Sequence, residues 1–137
     1  MPGMTAEEVL RASKVVLVVD WPSREVPDTL VRAGYDVVVH GGPAPDDYSA
    51  YVLGGGEVVA KRTGVAPDHV DLVYSYRPLD ELSGIVEQAQ RLGAGAVWVQ
   101  LPAEESAPAR TIVEAAGLAF VDGPYLPDAV RALGGRP

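Results

Sequence analysis

The sequence contains no cysteine among its 137 residues. It therefore has no disulfide bond, no thiol nucleophile and no thiolate ligand for a metal ion. Long apolar runs are also missing, since the longest, such as Val15–Val19, span only a few residues. A membrane-spanning helix needs about 20 apolar residues. The sequence thus excludes thiol chemistry, and we expect no membrane helix.

Basic residues are scarce, with 11 Lys and Arg against 19 Asp and Glu, which gives a formal net charge of −8. No basic cluster or stripe is present to neutralise the phosphates of a nucleic acid or an anionic membrane. The first residues, MPGMTAEEVLRASK, lack an apolar core segment, so we expect no signal peptide and a cytosolic location. A phosphate held locally at a helix N-terminus stays compatible with this charge.

A hydrophobic content of 47% with 22% charged residues is typical of a globular protein, and the length predicts one domain over residues 1–137. The clearest unit lies within Lys14–His40. It consists of an apolar run at Val15–Val19, a helical pattern and a second run at Val37–Val39. Valine-rich runs without polar alternation indicate strands buried on both faces, as in parallel sheets. The unit is therefore a βαβ unit with a right-handed crossover.

The same alternation of strand and helix continues to the end of the chain. We predict five main strands: Lys14–Asp20, Tyr35–His40, Val70–Ser75, Ala96–Gln100 and Leu118–Val121. Predicted helices are Thr5–Ala12, a helix from Ser23 or Pro27 to Gly34, one from Pro78 to Gly93, Pro102–Ala116 and Leu126–Leu133. The sum is an α/β fold with a doubly wound, mostly parallel five-stranded sheet.

One stretch is irregular. Gly41–Gly56 has five glycines and two prolines in sixteen residues. Its composition fits a variable surface loop, while its length fits a binding loop. Short strands at Ala50–Leu53 and Glu57–Lys61 are compatible with the pattern, so both interpretations stay open.

Ligands of doubly wound sheets bind beyond the carboxyl ends of the strands. This rule selects short segments after each predicted strand. The candidate binding residues in them are Trp21, Ser23, Arg24, His40, Tyr76, Arg77, Gln100, Asp122 and Gly123. Ser23 is also a suitable N-cap for the helix that follows. Gln100 and the Asp122–Pro124 turn either line a pocket or close loops.

Arg77 is the strongest single candidate, because its planar guanidinium can donate two hydrogen bonds to a phosphate. Its alternative role is an ion pair with Asp80 or Glu81. Trp21 either stacks on an adenine or covers the sheet edge as packing. His40 contacts a ribose or phosphate, or else caps the strand end.

Three segments carry a family resemblance: VDLVYSYRP, GAGAVWVQLP and EAAGLAFVDGP. Over Lys14–Leu133 the chain resembles small single-domain CoA-binding proteins with a Rossmann-like fold, which are related to the CoA-binding domain of succinyl-CoA synthetase α subunits. The Tyr76–Pro78 turn and the AVWVQ strand are the most specific pieces. The resemblance implies a cytosolic protein that binds CoA or a related nucleotide and needs no catalytic residue.

The chain departs from this family after the first strand. A glycine-containing loop is usual there, whereas here Asp20 and Trp21 lead directly into Pro22 and Ser23. No glycine lets a phosphate approach the backbone, and the Asp20 carboxylate would repel a diphosphate, although Arg24 would offset part of that charge. Two functions therefore stay open. One is a CoA- or nucleotide-binding module without catalysis, and the other is a degenerate member with a closed pocket that acts as a protein-interaction or regulatory domain.

Other functions for this topology lack their residues. A phosphoreceiver needs an acceptor aspartate after the third strand and a basic residue after the last, where this chain has Ser75–Tyr76 and Asp122. The G-x-G-x-x-G of dinucleotide oxidoreductases and the G-x-S-x-G of hydrolases are both absent. No His/Asp/Glu cluster has the spacing of a metal site. We therefore expect no catalytic residue and no bound metal.

Overall fold

A computed structural model describes residues 4–19, 21–41 and 44–134 of the chain. Asp20, Gly42 and Pro43, which the sequence places at the ends of the first two predicted strands, lie outside the described residues. The described part forms one sheet of seven strands in the order β4-β3-β2-β1-β5-β6-β7. Their bounds are β1 (Val15–Val19), β2 (Asp36–His40), β3 (Tyr48–Gly54), β4 (Glu57–Arg62), β5 (Leu72–Ser75), β6 (Ala96–Val99) and β7 (Ala119–Val121).

Helices cover both faces of the sheet. They are α1 (Ala6–Ala12), α2 (Glu25–Arg32), α3 (Leu82–Arg91), α4 (Ser106–Ala115) and α5 (Leu126–Leu133). Apolar residues of α1, α2 and α5 share one core cluster, and those of α3 and α4 share the other. The predicted doubly wound α/β fold is confirmed. No helix among the described residues has the length and apolarity that a bilayer crossing requires.

Strand β1 lies at the centre because it must be buried on both sides. Val16 and Val18 pack into the cluster under α1, α2 and α5, while Leu17 packs into the cluster under α3 and α4. Val18 pairs in parallel with Val39 of β2 and with Tyr74 of β5. Polar and apolar residues do not alternate in β1 because both faces of the strand pack against an apolar cluster.

Strand β3 takes up seven residues of the irregular stretch, and the short strands that its pattern allows at Ala50–Leu53 and Glu57–Lys61 lie within β3 and β4. Strand β3 pairs antiparallel with β2, and β4 pairs antiparallel with β3. Gly55 and Gly56, with φ of 62° and 85°, form the two-residue turn between them, a conformation that glycine adopts without steric cost. The hairpin adds two antiparallel strands to the five parallel strands that the sequence predicts. Half-buried strands with small residues have a weak hydrophobic pattern, which is why the sequence underestimated them.

The predicted helix starts are shifted in three places. Pro78 and Pro102 each precede a short 3₁₀ turn, so α3 and α4 begin four residues after their prolines, at Leu82 and Ser106. Helix α2 begins at Glu25, and Ser23 lies just outside it, where its Oγ accepts a hydrogen bond from the Glu25 amide at 3.3 Å.

Asp71 joins the amino ends of β1 and β5. Its Oδ2 accepts hydrogen bonds from the amides of Lys14 and Val15 at 2.8 and 2.9 Å. Its Oδ1 lies 2.7 Å from Nε2 of His69. Burial alone would raise the pKa of Asp71, but the bonds from the Val15 and Lys14 amides, with His69 beside them, outweigh burial and hold that pKa below its ordinary value.

Replacing Asp71 by alanine is expected to lower the free energy of unfolding by about 1–3 kcal/mol, because two backbone amides lose their acceptor. Asp36→Ala is the control. The Asp36 carboxylate is largely exposed, and its ion pair with Lys14 is long, at 4.0 Å, so its loss should change stability little. Urea unfolding measures both.

Because the pKa of Asp71 is lower in the folded protein than in the unfolded chain, the stability that its charge contributes is present above the unfolded pKa and is lost as pH falls through the folded pKa. Asp71→Asn should therefore flatten the loss of stability in acid, and an unchanged acid limb would contradict this role.

Candidate functional site

The five parallel strands end at one edge of the sheet. The nine predicted binding residues lie there: His40 is the last residue of β2, and the others are in the segments that follow the strands. The chain order reverses between β1 and β5, which are neighbours in the sheet. The candidate site is therefore the crevice beyond this switch point. The predicted residues lie at this edge of the sheet, and several of them make the structural contacts that were their alternative roles.

Two residues that follow β1 pack onto the hairpin. Trp21 is partly buried and meets the ring of Tyr51 edge-on, with centroids 6.1 Å apart. Arg24 donates to the carbonyl of Val58 at 2.6 Å and to Asp28 Oδ1 at 3.1 Å, and its guanidinium lies over the Tyr51 ring. The packing role of Trp21 is thus observed, and the Arg24 side chain fixes α2 to the hairpin.

A cavity of about 270 Å³ opens beside Trp21. Its lining residues are Trp21, Val39, Gly41, Asp47, Ser49, Tyr51 and Arg62. Arg62 forms ion pairs with Asp46 at 3.0 Å and with Asp47 at 3.3 Å, so its charge is balanced. The rings of Trp21 and Tyr51 line this cavity, and the charge of Arg62 in its lining is neutralised by its ion pairs. Such a cavity suits a flat, weakly charged ring system such as a nucleobase.

His40 takes part in a hydrogen-bonded cluster on the other face of the sheet. Its ring stacks on Tyr48 at 4.3 Å, and its Nε2 lies 3.0 Å from the Ala44 carbonyl. Because a carbonyl only accepts, Nε2 carries the hydrogen, and Nδ1 accepts from Gln88 at 3.3 Å. Gln88, on α3, also donates to the Tyr48 hydroxyl at 2.5 Å. His40 therefore closes the end of β2, away from the face on which Trp21 packs.

Arg77 forms the ion pair that was its alternative role. Its Nε and Nη2 donate to the two carboxylate oxygens of Glu81 at 3.0 and 2.9 Å, while Asp80 is not the partner in this pair. These hydrogen bonds from Arg77 lower the pKa of Glu81. The preceding Tyr76 is 49% exposed. The residue most suited to a phosphate is thus already paired with a carboxylate of the 3₁₀ turn that follows it.

The last three predicted residues join strand ends to helix starts. Gln100 Oε1 accepts from the Leu126 amide, the first residue of α5, at 3.2 Å. Asp122 accepts a hydrogen bond from the hydroxyl of Ser106, the first residue of α4. The peptide bond between Gly123 and Pro124 is cis. These contacts correspond to the loop-closing role, and a direct ligand contact remains a prediction.

The helix starts at this edge are acidic. Carboxylates in their first turns, or in the 3₁₀ turns that precede them, are Glu25, Asp28, Asp80, Glu81, Glu104, Glu105 and Asp128. Arg24, Arg77 and Arg131 pair with four of these carboxylates. The remainder keep the edge negative, so it disfavours a polyphosphate.

The start of α2, where a phosphate would be expected, offers few free amides. Those of Glu25 and Val26 donate to Ser23 at 3.3 and 3.2 Å. Pro27 has no amide hydrogen, and the amide of Asp28 bonds to the carbonyl of Arg24. In this first turn the donors of an anion site are thus satisfied or missing.

Sequence reasoning missed the hairpin residues of the cavity. Ser49 and Tyr51 lie in the stretch whose interpretation stayed open, and Arg62 is the last residue of β4. They reach the site only because β3 and β4 extend the sheet. The signal was the Gly55–Gly56 pair, which is typical of a hairpin turn. Among the described residues no group of three or more His, Asp or Glu side chains is arranged to hold a metal ion.

Comparison with known proteins agrees with the fold. Prb, the PH1109 protein redesigned for binding, superposes with a TM-score of 0.69 at 24% identity over 100% of this chain and 97% of that chain. A hypothetical protein from Pyrococcus horikoshii OT3 gives 0.63 at 25% identity over 98% and 97%, and cell-free ID.343 from Thermus thermophilus gives 0.62 at 22% identity over 91% and 93%. No curated protein matches the chain significantly.

The family assignment comes from the sequence. The family model described as a CoA binding domain matches residues 15–126, from the first residue of β1 to the first residue of α5. That range contains every parallel strand and all nine predicted binding residues. The resemblance seen in the three sequence segments is therefore confirmed: this chain belongs to the CoA binding domain family.

Proposed function

We propose that the protein binds CoA or a related adenine nucleotide weakly and without catalysis, and that it holds the adenine rather than the phosphates. The cavity beside Trp21 carries this proposal, because it lies at the carboxyl ends of β1 and β2 and has aromatic walls. Family membership supports CoA as the ligand. A cytosolic location remains part of the prediction.

The charges at the site support weak binding. Arg24, Arg77 and Arg62 are all held by carboxylates of the protein, so binding a phosphate would break existing ion pairs. The acidic helix starts would also repel the phosphates of CoA. We therefore expect added salt to raise CoA affinity slightly, because few new ion pairs form on binding and salt screens the repulsion between the acidic edge and the phosphates.

Calorimetric titration with CoA, acetyl-CoA and ATP tests the proposal. A ligand at 100 times its dissociation constant should raise the free energy of unfolding by about 2.7 kcal/mol. Trp21→Ala should weaken binding by about 1–3 kcal/mol if this ring stacks on the base. Tyr76→Ala is the control, since this exposed aromatic at the same edge does not line the cavity. Equal losses in the two variants would argue against an adenine position beside Trp21.

The second candidate is a degenerate member that acts as a protein-interaction or regulatory domain. The bidentate Arg77–Glu81 pair and the occupied amides at the start of α2 favour it. Unchanged melting of the wild type at millimolar CoA would select this function over CoA binding.

A further inference from the structure

One buried hydroxyl has no hydrogen-bond partner within the described residues. Tyr74 on β5 is 0% exposed, and its Oη meets no donor or acceptor there. The buried Ser and Gln side chains of the described residues are satisfied: Ser13 donates to the Val9 carbonyl, Ser75 accepts from the Arg77 amide, and Gln88 donates to Tyr48. Burying an unpaired hydroxyl destabilises a fold, and buried polar groups are nearly always paired. Tyr74 is therefore the exception that needs an explanation.

Tyr74 lies at the switch point. It pairs with Val18 of β1 on one side and with Trp98 of β6 on the other, one residue before β5 ends. Its ring belongs to the core cluster beneath α2 and α5, against which Tyr125 also packs. Burial raises the pKa of Tyr74 strongly, and the nearby phenols of Tyr125 and Tyr76 add to the effect. Tyr74 thus lies one residue from the end of β5 and in the same core cluster against which Tyr125, after β7, packs.

Tyr125, which packs against this cluster, makes one weak polar contact with Ser23. It is the residue before α5, and its hydroxyl lies 3.4 Å from Oγ of Ser23, the long limit of a hydrogen bond. Both groups are near solvent, so water can replace the contact at little cost. A movement of the Tyr125 side chain would open the crevice between the starts of α2 and α5.

We propose that Tyr74 is a concealed ligand-binding residue, which donates a hydrogen bond to an uncharged acceptor of the ligand when Tyr125 moves away from Ser23. The proposal deepens the function proposed above and rests on it. An uncharged acceptor fits because the donor is neutral and the helix starts at this edge are acidic. In CoA the strongest uncharged acceptors outside the base are the two amide carbonyls of the pantetheine arm. Tyr74 would then hold that arm while the cavity beside Trp21 holds the adenine.

Tyr74→Phe tests the proposal, with Tyr35→Phe as its matched control. Tyr35 is also buried, but its hydroxyl donates to the Leu10 carbonyl at 3.2 Å. Without ligand, Tyr74→Phe should melt at a higher temperature than wild type, because an unpaired buried hydroxyl is removed, whereas Tyr35→Phe should melt at a lower one. With ligand, Tyr74→Phe should bind CoA and pantetheine about tenfold more weakly and bind ADP as wild type does. Tyr35→Phe should leave all three affinities unchanged.

The outcomes separate the two proposals. Wild-type affinity for CoA in Tyr74→Phe would remove Tyr74 from the site and leave CoA binding intact. A lower melting temperature in Tyr74→Phe would show that the hydroxyl has a partner in the unliganded protein, which also overturns the inference. A wild type that binds none of the three compounds would overturn both. Ser23→Ala, which releases Tyr125, should bind pantetheine at least as tightly as wild type, and weaker binding would contradict the role of Tyr125 as a cover.

Discussion

Replacing Val18 by aspartate is expected to abolish folding. Val18 is 0% exposed on the central strand, with Val39 and Tyr74 beside it and the α2 and α5 cluster above it. Among the described residues of that cluster no side chain carries a positive charge that could neutralise a carboxylate. An unpaired buried ion costs several kcal/mol even after relaxation, a large part of the about 5–15 kcal/mol that stabilises a typical domain.

The matched control is Val52→Asp. Val52 also lies on a strand, β3, but it is 36% exposed near the end of the hairpin, so the same change should cost less than about 1 kcal/mol. Circular dichroism and the elution volume of the purified variants provide the measurement. A Val18→Asp protein that unfolds cooperatively with wild-type stability would contradict the placement of β1 at the centre of the sheet.

The second large effect is expected at Trp98. This side chain is the largest among the fully buried ones, and its Nε1 donates to the Pro124 carbonyl at 3.1 Å. Trp98→Ala should lower the free energy of unfolding by about 3–5 kcal/mol, because a large cavity forms and the loop after β7 loses its anchor. Urea unfolding followed by far-ultraviolet circular dichroism measures the loss without relying on tryptophan fluorescence.

Two further variants separate the causes of that loss. Trp98→Phe keeps most of the apolar volume but removes the donor, so it should cost less than Trp98→Ala and still release the Pro124 carbonyl. Trp21→Ala changes the other tryptophan, which is only partly buried, and should cost less than Trp98→Ala. Equal losses for Trp98→Ala and Trp21→Ala would mean that Trp98 does not anchor the core as described.

The parallel core could be predicted from the sequence because its signal is strong. Runs such as Val15–Val19 and Ala96–Val99 are apolar at every position, which only a strand covered on both faces requires. The hairpin could not be predicted with the same certainty. Strand β3 changes from buried Tyr48 and Tyr51 to exposed Val52 and Leu53, so no period persists over its length.

For the candidate site, too, the sequence predicted one part, its position in the fold, and not the other, the contacts of its side chains. The edge that carries Trp21, His40 and Arg77 followed from the rule for strand ends, which depends only on the order of elements. The contacts did not follow, because they depend on which neighbours reach a side chain in three dimensions. Arg77 finds Glu81 four residues away, whereas His40 finds Gln88 at a separation of 48 residues. The unpaired hydroxyl of Tyr74 is visible only once its surroundings are packed.

The sheet order has a consequence for how the chain folds. The hairpin pairs Gly54 with Glu57, a contact that closes within a few residues, whereas the bond between Val15 and Asp71 spans 56 residues. Closing a longer loop has a larger entropic cost, so local pairings form faster than distant ones. We expect β2, β3 and β4 to assemble early and the pairing of β1 with β5 to follow. The most buried strand of the finished sheet would then acquire its second neighbour late, and its apolar face would stay open to misassociation until that step.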